Sequence, residues 1–371
     1  MRKIVFALAA TLALSACSSA PKTREPAELV KIAEPIEVNT VWSASLGSSK
    51  LEFLSPAVAG DAVYAAGGST VYRFEAETGD RTWSFDAPEK VSSGVGSDGV
   101  TVAFGTAKGE LIVLRAQDGE RLWSQFLTSE MNAVPLVGEG LVVVRTADTR
   151  VTAFDALTGK QLWRYQGQVP SLTLKAASKM RFFRNAIVVG ESSGHLLGLS
   201  HEGKPVWRMM LSEPRGTTEV ERLVDVLGEP MVDADLICSS VYQGRLVCLN
   251  AVEGTLRFTY DIKALTPPVI SDKAVFVGND ASEIFAFERV HGQPLWKSDD
   301  LKYRGVRAMA FFGGVLAVTD SEGYIHMVNP DNGQIIGRTD LSGSIVSVPQ
   351  PYRYGAIFQS DGGSLAFIKV F

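Results

Sequence analysis

The chain is poor in reactive side chains. Its 371 residues include four histidines, none at metal-ligand spacing from another, and three cysteines without a Cys-x-x-Cys pair. The one Gly-x-Ser-x-Gly string, Gly190-Glu191-Ser192-Ser193-Gly194, lies inside the strand–turn–strand run Asn185 to Leu199 and not at the strand-to-helix turn of a nucleophile elbow, and no Gly-x4-Gly-Lys-Ser/Thr phosphate loop is present. Metal, acyl-transfer and nucleotide chemistry therefore lack an anchor in the sequence. The apolar run Ile4 to Leu12 is too short to span a bilayer, and no other stretch is long enough. No run is rich in lysine or arginine, which argues against nucleic acid or anionic lipid as the main partner. What is plentiful is apolar content, 46% hydrophobic against 21% charged, enough for a large core.

The N-terminus reads as an export signal: Arg2 and Lys3, then the apolar run, then small residues. Leu14-Ser15-Ala16-Cys17 is similar to the bacterial lipobox, in which the chain is cut before the cysteine and the cysteine is acylated. Residues 1–16 are then a lipoprotein signal peptide and Cys17 the lipidation site. Residues 17–39, with three prolines and mixed charges, form an acylated tether. Ser18, where enterobacterial inner-membrane lipoproteins carry aspartate, favours the outer membrane. Removing Arg2 and Lys3 from the 36 basic residues leaves 34 against 41 acidic ones, a mature net charge of −7.

One motif organises the remainder. Thr78-Gly79-Asp80-Arg81-Thr82-Trp83 returns in six further forms, ending at Trp123, Trp163, Trp207, Phe258, Trp296 and Gly337. The intervals between the motif glycines are 40, 40, 44, 51, 38 and 41 residues. Between copies lie short runs of β-branched and aromatic residues separated by glycine and aspartate turns, four strands to a period. That predicts an all-β fold over residues 40–371, a β-propeller of four-stranded antiparallel blades. The last segment, Ile345 to Phe371, supplies three strands only, and Thr40 to Leu46 is a lone fourth-type strand with Trp42 placed 41 residues before Trp83. Pairing the two ends completes an eighth blade and closes the ring. Cys238 and Cys248 flank the turn-like Tyr242-Gln243-Gly244-Arg245, which leaves a disulfide and two buried thiols both open.

The rhythm fails in two adjacent intervals. Gln168 to Ser178 and Ser212 to Gly228 are insertions after Trp163 and Trp207, on the face where one blade connects to the next. Both carry apolar residues among charges: Leu172, Leu174 and Lys175 in the first, Val220, Arg222, Leu223, Val224, Asp225, Val226 and Leu227 in the second. Apolar side chains rimmed by charge on loops held by a rigid scaffold read as a protein-binding surface.

Ala153-Phe154-Asp155-Ala156-Leu157-Thr158-Gly159-Lys160-Gln161-Leu162-Trp163 resembles the repeat of the pyrroloquinoline-quinone (PQQ) dehydrogenases, which hold a quinone and calcium in the funnel and bridge adjacent cysteines beside it. No two cysteines here are adjacent. The whole chain is similar to the BamB family, the β-propeller lipoproteins of the outer-membrane β-barrel assembly machinery, through the lipobox, the non-catalytic repeats, Leu172-Thr173-Leu174-Lys175 and Glu219 to Asp225. The resemblance implies a periplasm-facing outer-membrane scaffold without cofactor that docks on the barrel-inserting subunit, Leu172, Leu174, Lys175 and Asp225 being contacts by position. Arg222 and Leu223 belong to the same partner-binding set. Lys175 stands where the family pattern commonly has arginine and Leu227 where a second acid is expected. Unfolded outer-membrane protein clients are a further expected partner. A quinone-dependent enzyme and a propeller that binds glycan or peptidoglycan in its funnel are the alternatives.

Overall fold

The structure, a computed structural model, describes residues 24–49, 54–131, 133–168, 172, 178–213, 217–218, 223–242 and 244–371. Every regular element among them is a strand, and the strands form eight four-stranded antiparallel sheets. In blade 1, Ala57–Ala59, Ala62–Gly67, Thr70–Glu75 and Arg81–Asp86 lie side by side in chain order. Blades 2 to 7 repeat this over residues 91–126, 136–166, 181–210, 226–261, 269–298 and 308–340.

Blade 8 joins the two ends of the chain. Gln350–Tyr352, Gly355–Gln359 and Ser364–Val370 are completed by Val38–Ser45, in register from Val38 opposite Val370 to Ser45 opposite Ser364. The eight-bladed ring closed by the N-terminal strand is thus present, with that strand opening at Val38 rather than Thr40. Across the seam to blade 1, Tyr352 donates its hydroxyl to Asp61 (2.7 Å), and Lys369 and Arg353 bind Glu77 at 2.8 and 2.9 Å. Burial and the Asp61 carboxylate push the Tyr352 phenol up to about 12.

The core lies between blades. Its buried apolar residues divide into eight clusters, one per seam. Ala62, Tyr64 and Ala66 face blade 2 while Val63 and Ala65 face blade 8, so a second strand buried on both sides reads as an unbroken apolar run.

The repeated motif locks five of the eight seams in one way. A bulge in the third–fourth strand pairing recurs in all eight blades, beside the motif aromatic in seven and beside Gly337 in blade 7, and in the blade made from both chain ends it lies between Thr40 and Trp42. It aims the indole at the next blade. Trp42, Trp83, Trp123, Trp163 and Trp296 donate their ring N–H to Ala76, Ala116, Ala156, His201 and Pro330 carbonyls in the neighbouring turn, at 2.6 to 3.0 Å. Each ring lies over the motif glycine of that turn, at positive φ, where a Cβ would clash with it.

Residues 24–37, within the segment expected as tether, lie along the ring. The Ala27 and Ile36 amides donate to the Lys302 and Ile336 carbonyls, both at 2.8 Å, and Ile32 and Ile36 pack on the seams flanking blade 7.

The glycines separate two costs. Gly119 has φ 75° and a Cβ there would stand 2.8 Å from Trp83, whereas Gly254 has φ 68° and open space. Gly254→Ala should lose about 1–2 kcal/mol, the left-handed backbone cost alone. Gly119→Ala should lose about 1–3 kcal/mol more from the overlap. Denaturant unfolding checks this; equal losses would mean that the indole contact carries no stability.

Candidate functional site

Each fourth strand crosses to the next blade on one common face of the ring. The two longest crossings on that face, 167–180 and 211–225, link blades 3 to 4 and 4 to 5 and so stand on adjacent seams. Leu172, in the first, is 43% exposed. Leu174, Lys175, Val220 and Arg222 lie outside the described residues, as does Cys17.

The end of the second insertion is placed differently from the expectation of a wholly outward loop. Leu223, Val224, Val226 and Leu227 are 8, 7, 2 and 5% exposed, and Asp225 is 2% exposed. The reason is that the first strand of blade 5 begins at Val226, pairing Val226 with Val241 and Leu227 with Ser240, so the tail of the insertion enters the seam. Val224 and Val226 join the core between blades 4 and 5. Leu223 and Asp225 are thus buried at the point where the chain enters blade 5, and Leu227 is a strand residue.

Below both insertions is a buried charge cluster. Arg145, the last residue of Leu141–Arg145, is 5% exposed and donates to the Gly190 carbonyl and, at 3.3 Å, to the Ser192 hydroxyl. Burial draws its pKa down, and the charges of Asp225 and Glu191 oppose that. Glu191 in turn accepts from Arg208 at 2.8 Å. Tyr165, Gly167 and Gln168 complete the wall of a cavity of about 10 Å³ against Arg145 and Glu191, about the room one water takes. Burial, then Glu191, push the Tyr165 phenol up. The cluster joins blade 3 (Arg145), blade 4 (Glu191, Arg208) and the entrance to blade 5 (Asp225). Sequence reasoning passed over Arg145, although a charge ending the apolar run Leu141-Val142-Val143-Val144 is a visible signal.

On the ring axis, Lys179 precedes blade 4 and reaches Ser55, which precedes blade 1, with its ammonium 2.9 Å from the Ser55 hydroxyl. Burial lowers its pKa, with Glu229 opposing. Gly94 and Gly96 of blade 2 lie there because a Cβ would meet the Ser55 amide at 2.9 Å and the Pro135 carbonyl at 2.0 Å. An ammonium across the channel does not fit a divalent cation with a quinone, and the described residues contain no group of three or more His, Cys, Asp or Glu able to hold a metal. Cys238 and Cys248 stand directly opposite each other in blade 5, Cα atoms 4.2 Å apart, and are bridged. Both are fully buried within a single sheet, away from the axis cluster.

The family model of the outer membrane protein assembly factor BamB matches residues 67–298. Proteins of that description from Bordetella pertussis and Burkholderia pseudomallei are 36% and 35% identical to the chain, each over 98% of it and over 95% and 97% of their own length. The crystal structure of BamB from Moraxella catarrhalis superposes with a TM-score of 0.83 at 26% identity, covering 90% of this chain and 100% of that one. A quinohemoprotein alcohol dehydrogenase from Comamonas testosteroni, at 14% identity and a TM-score of 0.67 over 90% of this chain and 76% of its own, shares the fold alone. On the matched span, the near full-length identity and the eight-bladed ring, the chain belongs to the outer membrane protein assembly factor BamB family.

Proposed function

We propose that the chain is a non-catalytic scaffold of outer-membrane β-barrel assembly, anchored by lipid on Cys17 with its ring in the periplasm, and that it docks on the barrel-inserting subunit through the two insertions. One observation carries the reading: the two longest crossings share a face, occupy adjacent seams and rise from one buried charge cluster. Leu172 and Leu174 supply the apolar part of the contact, and Lys175 and Arg222 its charge. Leu223 and Asp225 act from below, fixing the second loop on the ring. A rigid footing lowers the ordering cost that binding a partner would otherwise impose.

Unfolded barrel precursors are the second partner in this reading. Leu162, Val206, Leu256 and Leu295 recur one or two positions before the motif aromatic and are 47 to 59% exposed on the outer strands, whose free edges can accept an extended chain. The quinone-enzyme reading loses support to Lys179 on the axis.

Replacing Leu172 and Leu174 together by Asp should abolish co-purification of the inserting subunit from solubilised outer membrane, while Leu295→Asp on the outer rim should leave it intact. Wild-type recovery with the double variant would sink the docking site. The footing has its own test. Arg145→Met strands buried carboxylates and should destabilise the ring by about 3–5 kcal/mol. Adding Asp225→Asn should restore at least about 1 kcal/mol of that. Strictly additive losses in denaturant unfolding would separate Arg145 from the second insertion.

A further inference from the structure

The seventh copy of the motif ends in Gly337, where the others end in tryptophan or phenylalanine. Blade 8 has no turn between its third and fourth strands for an aromatic to rest on, because the third ends at Val370 and the fourth begins at Val38. The incoming chain fills the space instead: a Cβ on Gly337 would stand 2.9 Å from both Ile36 and Val38 side chains. From Ile36 the segment follows blade 7 back to the inter-blade face. Val30 offers its carbonyl to Arg338 at 3.1 Å and Ala27 offers its carbonyl to Arg304 at 2.9 Å. Ala27 closes on Lys302, and the Arg24 guanidinium lies 5.5 Å from the centre of the Tyr303 ring. Residues 302 and 303 belong to the crossing from blade 6 to blade 7, on the same face as both insertions.

The two arginines that hold this strap are themselves held. Arg304 is 4% exposed and binds the fully buried Asp320 at 2.8 Å, with Glu322 on its other side. His326, also fully buried, lies 3.1 Å from Asp320 through Nε2 and 3.1 Å from the Arg338 Nε through Nδ1. A guanidinium only donates, so His326 Nδ1 accepts and its proton sits on Nε2, donated to Asp320. A chain of fixed hydrogen bonds from the interior thus orients the group that grips Val30. Neither the blade interlock nor the insertions require it.

We propose that residues 24–37 are a latch that decides which face of the ring meets the lipid surface: the inter-blade face, the one carrying both insertions. The proposal rests on acylation of Cys17. Seven Cα–Cα steps lead from Cys17 to Arg24, a reach of at most about 25 Å; without the latch, the twenty-one steps to Val38 would extend to about 70 Å. Latched, the crossing around Lys302 is kept beside the bilayer, and the docking loops share that side.

The test uses the full-length acylated protein on phosphatidylethanolamine/phosphatidylglycerol vesicles carrying a headgroup energy acceptor. A donor dye is placed by Ser342→Cys, exposed on the inter-blade face, or by Val252→Cys, 63% exposed on the opposite face; the disulfide-bonded, buried Cys238 and Cys248 do not label. Transfer from position 342 should exceed that from 252 at least two-fold, and Ile32→Asp with Ile36→Asp should erase the difference. Hydrogen exchange reads the latch without a membrane: the Ala27 and Ile36 amides should exchange at least tenfold more slowly in the wild type than in that double variant. Arg338→Ala, which leaves the strap sequence intact, should speed Ala27 exchange with unchanged blade 3 protection. Equal transfer from both positions, transfer unaffected by the double variant, or unprotected strap amides would each overturn the latch. Cys17→Ser should lose the vesicles yet keep the protected amides. A wild type that does not bind vesicles overturns the acylation reading and the membrane facing with it, while the exchange data still decide whether the strap is latched.

Discussion

Everything else in this molecule depends on one contact: an indole from the outer strand of one blade resting on a glycine in the next blade's turn, its N–H capped by a carbonyl of that turn. A propeller seam widens outward, and only a large flat side chain reaches across it while still satisfying its own polar atom. The glycine is required twice over, by its positive φ and by the ring lying where a Cβ would be. The bulge beside each motif aromatic supplies the aim. Motif, turn and bulge are one device, which is why they share a period and why blade 8, assembled from opposite ends of the chain, keeps the same bulge and uses Trp42 in the same way.

Each seam where that device is incomplete has a local substitute. Trp207 lies over Gly198 of its own blade, and nothing meets Gly254 in blade 5. That seam receives the tail of the second insertion, and Arg181 pairs with Glu229 across it. At the next seam Phe258 rests on Gly292 without a donor, and there Tyr260 stacks on Phe287 at 4.1 Å while Cys248, opposite Phe258, is bridged to Cys238. The seam after Gly337 takes the strap. A ring whose blades touch only their neighbours tolerates a weakened joint where a local substitute exists, so the exceptions become places to attach new parts.

Blade number and closure were legible in the sequence because the interlock demands particular residues at fixed spacing. The insertions were legible as lapses in that spacing. What could not be read was the direction of their apolar residues: Leu172 is exposed and Val224 is core, yet each is an aliphatic residue set among polar and charged ones in an insertion. Seam and surface draw on the same residue types, and only the register of the strand starting at Val226 separates them. The strap was hidden for a related reason. Prolines and charges give residues 18–39 the composition of a linker, and two isoleucines four apart, Ile32 and Ile36, are a weak signal until Gly337 is seen to need a filler. Arg145 and Lys179 were hidden because their partners are three-dimensional, on neighbouring or distant blades.

These buried charges also bear on the scaffold reading proposed for the ring. A catalytic pocket leaves polar groups converging on a site that substrate will fill, with their pKa values displaced for that task. Here the displaced groups near the axis turn toward one another: Lys179 to Ser55, Arg145 to Gly190, Ser192 and its flanking acids, and Glu191 to Arg208. For Lys179 and Arg145 the shift is downward, with burial as its largest cause and charges of the same chain opposing it. Such a network makes the centre of the ring rigid and leaves the variable work to whatever stands above it. In the docking we propose, a footing of that kind lowers the ordering cost that recognition of a partner would otherwise impose.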